Sequence, residues 1–496
     1  MIPSPSHQPS VGFRLLATIS LMGAIAVGLS TDWVLRPSPA IAGQPSSEES
    51  GIAADPGEGY ELLGTVKPRH AREIKSSNWS VGAETMDRDF TVYASWREYL
   101  GPLGAKGARI QSGWAKTEKS KREYDWAWVD EIIPDMVNQG VKPWVCLCYG
   151  NPIYEGGGGT GLGGGLPTSA EALGAWDRYV AAFVRRYGEY VDQWEIWNEP
   201  NAPPPVYADL VVRTTRVIRG IQPGARIIVA AWRDTKAILE RLKEHDAIGL
   251  VNEFTYHPYT YNPDDTYRKS APELRKLLAS YGSHLILRQG ENGAPSQPGS
   301  FGAIAKYDWN EEKQAKWALR RLLGDSGRDI PSMYFSICDM QYPNRRNYKG
   351  LLAINDDKTV HHAKKAYYAV QRIMAIFDGT VHRIPDFAAT VEGGAKQGSF
   401  SAFAYRTDAG AKIITLWRDS ERPGERPDIE RVTLALPGIQ FAQPVWVDML
   451  SGRVFAIADS LRSLKDNVTV FRNVPVYDSV VLIAERNAVG LAPAEK

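Results

Sequence analysis

Short apolar runs that end in polar residues recur up to residue 376, at 79–83, 108–113, 142–148, 193–198, 226–231, 253–257, 284–289 and 333–338. Each has the length and the branched or aromatic content of a buried strand. Between them, apolar residues recur at helical spacing. Trp176, Tyr179, Val180, Phe183 and Tyr187 form one such face, and Leu210, Val211, Thr214, Val217 and Ile218 another. Eight alternating strand–helix units predict an α/β fold, a (β/α)8 TIM barrel over residues 59–376. Beyond residue 377 the period changes to two. Runs at 399–405, 412–417, 431–436, 445–449, 468–471 and 479–484, separated by Gly, Pro, Asn and Asp, predict an all-β sandwich over 377–496. The stretch 60–66 is a further candidate strand for that sandwich.

Two of the barrel runs end in acids. Gln193-Trp194-Glu195-Ile196-Trp197 leads into Asn198-Glu199-Pro200, and Pro200 cannot donate to a ladder, so the strand is expected to end at Glu199. His284 to Gln289 leads through Gly290 to Glu291. The two acids are 92 residues apart, about three units at about 31 residues per unit, as on strands four and seven. Strand C-termini carry the chemistry of such barrels, and these two strands lie across the mouth from each other. A pair of carboxyls flanking one bond is the machinery of glycoside hydrolysis. Burial among tryptophans and the charge of a second carboxylate would raise the pKa of Glu199, as a general acid requires.

Other strand-end residues are candidates for the same site. Arg109 shares a strand face with Gln111 and would support the nucleophile's charge. Trp114 and Trp232 close strands two and five and would stack on sugar rings, while Tyr149 and Asn151 follow strand three. His257 and Tyr259 follow strand six. Eight glycines between Gly156 and Gly165 lack the lysine of a phosphate loop and suggest a lid or a flexible insertion over the mouth.

The segments A-R-I-Q-S-G-W, Y-D-W-A-W-V-D, V-K-P-W-V and Q-W-E-I-W-N-E-P resemble clan A of the glycoside hydrolases, most closely family 39, across residues 70–375. That family includes β-xylosidases and α-L-iduronidases. The resemblance implies a retaining enzyme on a TIM barrel, with Glu199 as acid/base and Glu291 as nucleophile. It also implies that Asn198 bonds the sugar 2-hydroxyl, and that His257 and Tyr259 hold the nucleophile ionised. The expected activity is exo-acting β-glycoside cleavage of the β-xylosidase kind. An endo-acting polysaccharide hydrolase and a non-catalytic glycan-binding barrel are the alternatives.

Composition narrows the remaining classes. The 58 basic and 57 acidic residues give no electrostatic case for nucleic acid or an anionic membrane, so an oligo- or polysaccharide is the expected partner. The three cysteines, Cys146, Cys148 and Cys338, make no disulfide framework, and no Cys/His spacing marks a metal; neither metal nor cofactor is implied. His361 and His362 are adjacent and poor joint ligands, and Gly324-Asp325-Ser326-Gly327 lacks the partners of a serine protease. Arg14, the apolar run 15–29 and Ala40-Ile41-Ala42 suggest an export signal over 1–42, with a retained N-terminal anchor as the alternative, followed by a flexible linker over 43–58. A secreted or periplasmic protein is expected, off the membrane once the signal is removed.

Overall fold

The structure, a computed structural model, describes residues 53–394 and 399–493. The expected export segment and the first part of the expected linker lie outside the described residues. Eight parallel strands close a barrel in sequence order. They are β1 (Trp79–Gly82), β2 (Gly107–Gln111), β3 (Lys142–Leu147), β4 (Gln193–Ile196), β5 (Arg226–Ala230), β6 (Glu253–Tyr256), β7 (Ile286–Gln289) and β8 (Ser332–Tyr334). A helix follows each strand on the outside. Ala170–Tyr187 and Pro204–Ile221 bury the apolar faces read from their periodicity. Among the described residues, no helix is long and apolar enough to cross a membrane.

Side-chain alternation divides the strands into an outer and a lumen face. On β2, Ala108 and Ile110 share one face, while Arg109 and Gln111 share the other. All four are buried. Trp144, Ile228, Met333, Phe335 and Met340 form an apolar cluster separate from the main core. The Arg109 guanidinium lies 5.6 Å over the Trp144 ring. A greasy plug thus supports a polar layer beneath the mouth, where the low dielectric strengthens each charge contact.

The C-terminal region is a sandwich of an eight-stranded and a four-stranded antiparallel sheet. Tyr60–Val66 belongs to the larger sheet, between Arg453–Ile457 and Leu491–Ala492, and not to the barrel segment that begins at residue 59 in the sequence reading. The end of the expected linker is also held. Ala54 is buried, with its N–H donating to Asp448 Oδ2 at 3.2 Å, and Arg431 donates to the Pro56 carbonyl. Residues 53–58 are therefore packed onto the sandwich. Trp417 and Trp446 are core residues of the sandwich.

Helix Glu311–Ser326 is buried along nearly its whole length, between barrel and sandwich. Two of its buried cations are paired, Lys316 with Asp478 at 2.8 Å and Arg320 with Asp264 at 2.7 Å. Asp264 also accepts from Trp417 Nε1 at 3.1 Å, tying a barrel loop to the sandwich core.

Candidate active site

The acid-bearing loop turns sooner than the proline suggests. β4 ends at Ile196, and Trp197 and Glu199 both adopt left-handed backbone, with φ of 66° and 44°. This bend brings Asn198 and Glu199 back over the barrel mouth. On the opposite wall Glu291 lies two residues past the end of β7. One carboxylate oxygen from each glutamate and one ring nitrogen of His257 lie within 4.8 Å of one another.

Each carboxyl has its own partners. Glu291 accepts from the Tyr259 hydroxyl at 2.7 Å and from Arg109 Nη1 at 3.2 Å. His257 Nδ1 lies 2.8 Å from Glu199 Oε1 and 3.8 Å from Glu291 Oε2. Tyr259 therefore holds the expected nucleophile, whereas His257 bonds the expected acid. That changes the electrostatics. Burial pushes the Glu199 carboxyl up, but the hydrogen bond and charge of His257, with Arg109 behind them, bring it below its ordinary value. Burial opposes the His257 imidazolium, but the charge of Glu291 and the contact with Glu199 raise its pKa. The raised Glu199 pKa expected from burial is thus overturned by a partner 58 residues away. The two groups are hydrogen-bonded and so titrate as a unit.

Asn198 is clamped beside the acid, its Oδ1 accepting from Arg109 Nη2 at 2.9 Å and its Nδ2 donating to the Tyr149 hydroxyl at 2.8 Å. Tyr149 lies under the Arg88 guanidinium, 4.8 Å from its ring centre. Trp232 is half-buried, its ring centre 6.2 Å from that of His257, so it forms an aromatic wall. Its indole N–H is buried without a partner among the described residues, as is His257 Nε2.

Two expected site residues are placed elsewhere. Gly113, at φ 64°, turns Trp114 into a short helix. There it is fully buried, stacks on Tyr154 and Tyr179, and donates from Nε1 to Glu118 at 2.5 Å. It is a packing residue with no face for a sugar. Asn151 is also buried, donating to the Glu118 carbonyl at 2.8 Å and accepting from Ile153 N–H at 3.2 Å. It shapes a turn.

The glycine-rich segment folds onto itself. Asn151 N–H bonds the Gly157 carbonyl at 2.9 Å, Gly150 N–H that of Gly159 at 2.8 Å, and Thr168 N–H that of Gly156 at 2.8 Å. Its tip reaches toward Arg88, and Asn201, two residues past Glu199, bonds the Gly163 carbonyl at 3.0 Å. The loop therefore walls the mouth between the segments after β1 and β4.

Sequence reasoning missed Glu84 and Glu195. Glu195 lies on the lumen face of β4 and takes two Arg109 contacts, Nε at 2.6 Å and Nη2 at 2.8 Å. Glu84 follows β1 and accepts from Arg109 Nη1 at 2.6 Å. A lone acid just past an apolar run, the signal that marked Glu291, was present at Glu84 too. Lys349 is also buried nearby, and burial lowers its pKa to about 8 against the pull of Glu291. Glu199, His257 and Glu291 form the one group of histidine, cysteine and acid side chains among the described residues close enough to hold a metal ion. Arg109 already supplies the positive charge beside Glu291.

The sequence matches no protein-family model and no curated protein. Solved structures do share its fold. A family 39 glycoside hydrolase from the gut symbiont Bacteroides cellulosilyticus aligns with TM-score 0.59 at 16% identity, over 85% of this chain and 83% of that one. A family 39 enzyme from Xanthomonas axonopodis pv. citri aligns with TM-score 0.56 at 16% identity, over 89% and 99%. A family 39 β-xylosidase from Caulobacter crescentus aligns with TM-score 0.51 at 17% identity, over 86% and 97%. The chain shares the fold of these structures, in its own case a closed parallel barrel with an antiparallel sandwich.

Proposed function

We propose that this protein is a retaining glycoside hydrolase cleaving β-glycosidic bonds, exo-acting in the manner of a β-xylosidase. The observation that carries the reading is the approach of Glu199 and Glu291 oxygens to within 4.8 Å. Retaining enzymes hold their carboxyls about 5–5.5 Å apart, and inverting ones about 6.5–9.5 Å. Glu291, held by Tyr259 and Arg109, attacks the anomeric carbon. The proton shared by Glu199 and His257 passes from Glu199 to the leaving oxygen. Glu199 then takes a proton from the water that opens the glycosyl ester. Asn198 bonds the sugar 2-hydroxyl in this reading, and Trp232 offers an aromatic wall. The glycine-rich wall supports a pocket and hence action at chain ends; measuring new reducing ends on a polysaccharide separates this from endo cleavage. Export to the periplasm or exterior belongs to the proposal on the sequence of residues 1–42 alone, and mass spectrometry of the mature N-terminus tests it.

Aryl xylosides, glucosides, galactosides and arabinosides test the activity. Glu291→Gly should lose hydrolysis and, with azide, form a glycosyl azide of inverted configuration. Wild type inert toward the whole panel would sink the enzyme reading in favour of a glycan-binding barrel.

A further inference from the structure

One guanidinium in this lumen faces three acids. Arg109 is fully buried and bonds Glu195 through Nε and Nη2, while its Nη1 is divided between Glu84 at 2.6 Å and Glu291 at 3.2 Å. His257, 3.8 Å from Glu291, and Lys349 add positive charge beside Glu291, so ionised Glu84 and Glu195 would still share a single buried guanidinium and leave one charge uncompensated, which is strongly unfavourable. Hydrogen-bond supply distinguishes the three. Glu195 takes both Arg109 contacts and the Thr255 hydroxyl at 3.3 Å. Glu291 has the Tyr259 hydroxyl as well as Nη1. Among the described residues, Glu84 takes a single donor, Arg109 Nη1. The other titratable groups interacting with it are the Tyr259 and Tyr342 phenols, both with pKa values raised first by burial and so neutral.

We propose that Glu84 is the proton-carrying member of this trio and a positioning residue for the nucleophile: protonated, it leaves Arg109 Nη1 to Glu291, and ionised, it competes for that nitrogen. Burial, with the charges of Glu291 and Glu195, pushes its carboxyl up to about 8 against the pull of Arg109. Its link to the nucleophile rests on the glycosidase reading; its protonation does not.

Infrared difference spectra of substrate-free wild type and Glu84→Gln test the protonation directly. The wild type should show a protonated-carboxyl C=O band at pH 7 that the variant lacks. In wild type alone, the same band should disappear on raising the pH through about 8, a readout that stands even if the variant misfolds. The kinetic arm compares kcat/KM against pH on an aryl glycoside. Glu84→Gln imitates the neutral carboxyl but cannot ionise, so the acid limb should move by less than about 0.3 unit, while the further loss of kcat/KM that wild type shows above about pH 8 should be absent from the variant. An acid limb lowered by about one unit or more would mean that a real negative charge had been removed beside Glu291, and would overturn the proposal. So would the absence of the band. If no glycoside is cleaved, the infrared result still decides the protonation and the functional reading alone fails.

Discussion

Replacing His257 by Asn tests where the proton of the general acid resides. In wild type, Nδ1 lies 2.8 Å from Glu199 and 3.8 Å from Glu291. At 3.8 Å and an effective dielectric of about 20, an imidazolium and a carboxylate attract by about 4 kcal/mol. Burial of the ring opposes this, and the balance leaves the His257 pKa above 6.5 while Glu199 lies below 4.5. The alkaline limb of kcat/KM reports loss of the shared proton and should fall above pH 6.5. In His257→Asn only the Glu199 carboxyl can hold it, starting from 4.5 and pushed up by burial. The limb should drop by up to the two units between the ordinary values of the two groups, and kcat/KM at pH 7 by up to about 100-fold. A substrate with a poor leaving group gives the clearest reading, because it depends most on the proton. Stability should follow the same pair. The depressed Glu199 contributes above pH 4.5 and loses that as pH falls through its folded pKa; the raised His257 contributes below pH 6.5 and loses that as pH rises through its own. The melting gap between wild type and variant should therefore be widest between those values. An alkaline limb within about 0.3 unit of wild type would refute the reasoning, because the proton would then reside on Glu199 alone.

Tyr259→Phe removes one hydrogen bond to a charged acceptor, and kcat/KM should fall by about 10- to 100-fold with little change in thermal stability; an unchanged rate would separate Tyr259 from catalysis. Gly158 has φ +81° and an added Cβ would lie 2.1 Å from the Gly165 carbonyl, whereas a Cβ on Gly165 meets nothing within 4 Å. Gly158→Ala should lower kcat/KM by about 10- to 100-fold and Gly165→Ala leave it unchanged; equal effects would show that the loop's shape is immaterial. Asp264→Ala strands the buried Arg320, and urea denaturation should show a loss of about 3–5 kcal/mol. A loss below about 1 kcal/mol would mean that water or another group takes its place.

All eight barrel strands are visible in the sequence because each is an apolar run bounded by polar residues, and the two acids follow from the same pattern. The exact bend at Trp197 and Glu199 is not, since left-handed backbone in non-glycine residues is imposed by tertiary packing. Trp114 was misplaced because a tryptophan at a strand end looks alike in sequence whether it faces a ligand or a core. Here Gly113 and the Tyr154–Tyr179 stack decide it. The partner of His257 depends on a contact 58 residues away, beyond the reach of local pattern, whereas Tyr259 meets Glu291 as expected. In the sandwich, short strands such as Val381–Arg383 and Arg462–Lys465 carry too few residues for a period-two signal. Glu195 was legible: alternation within Trp194-Glu195-Ile196 already directs that acid into the lumen.

Tyr60–Val66 gives the chain a clasp. This segment leaves the ribosome before any part of the barrel, yet its two pairing partners arrive about 390 and 430 positions later. It must wait, unpaired, while everything between is synthesised and wound. A fragment starting at residue 377 would expose Arg453–Ile457 and Leu491–Ala492 as bare edges, ready to pair with other copies. Excising the sandwich as a stand-alone module should therefore yield precipitate, unless residues 53–66 are supplied in trans.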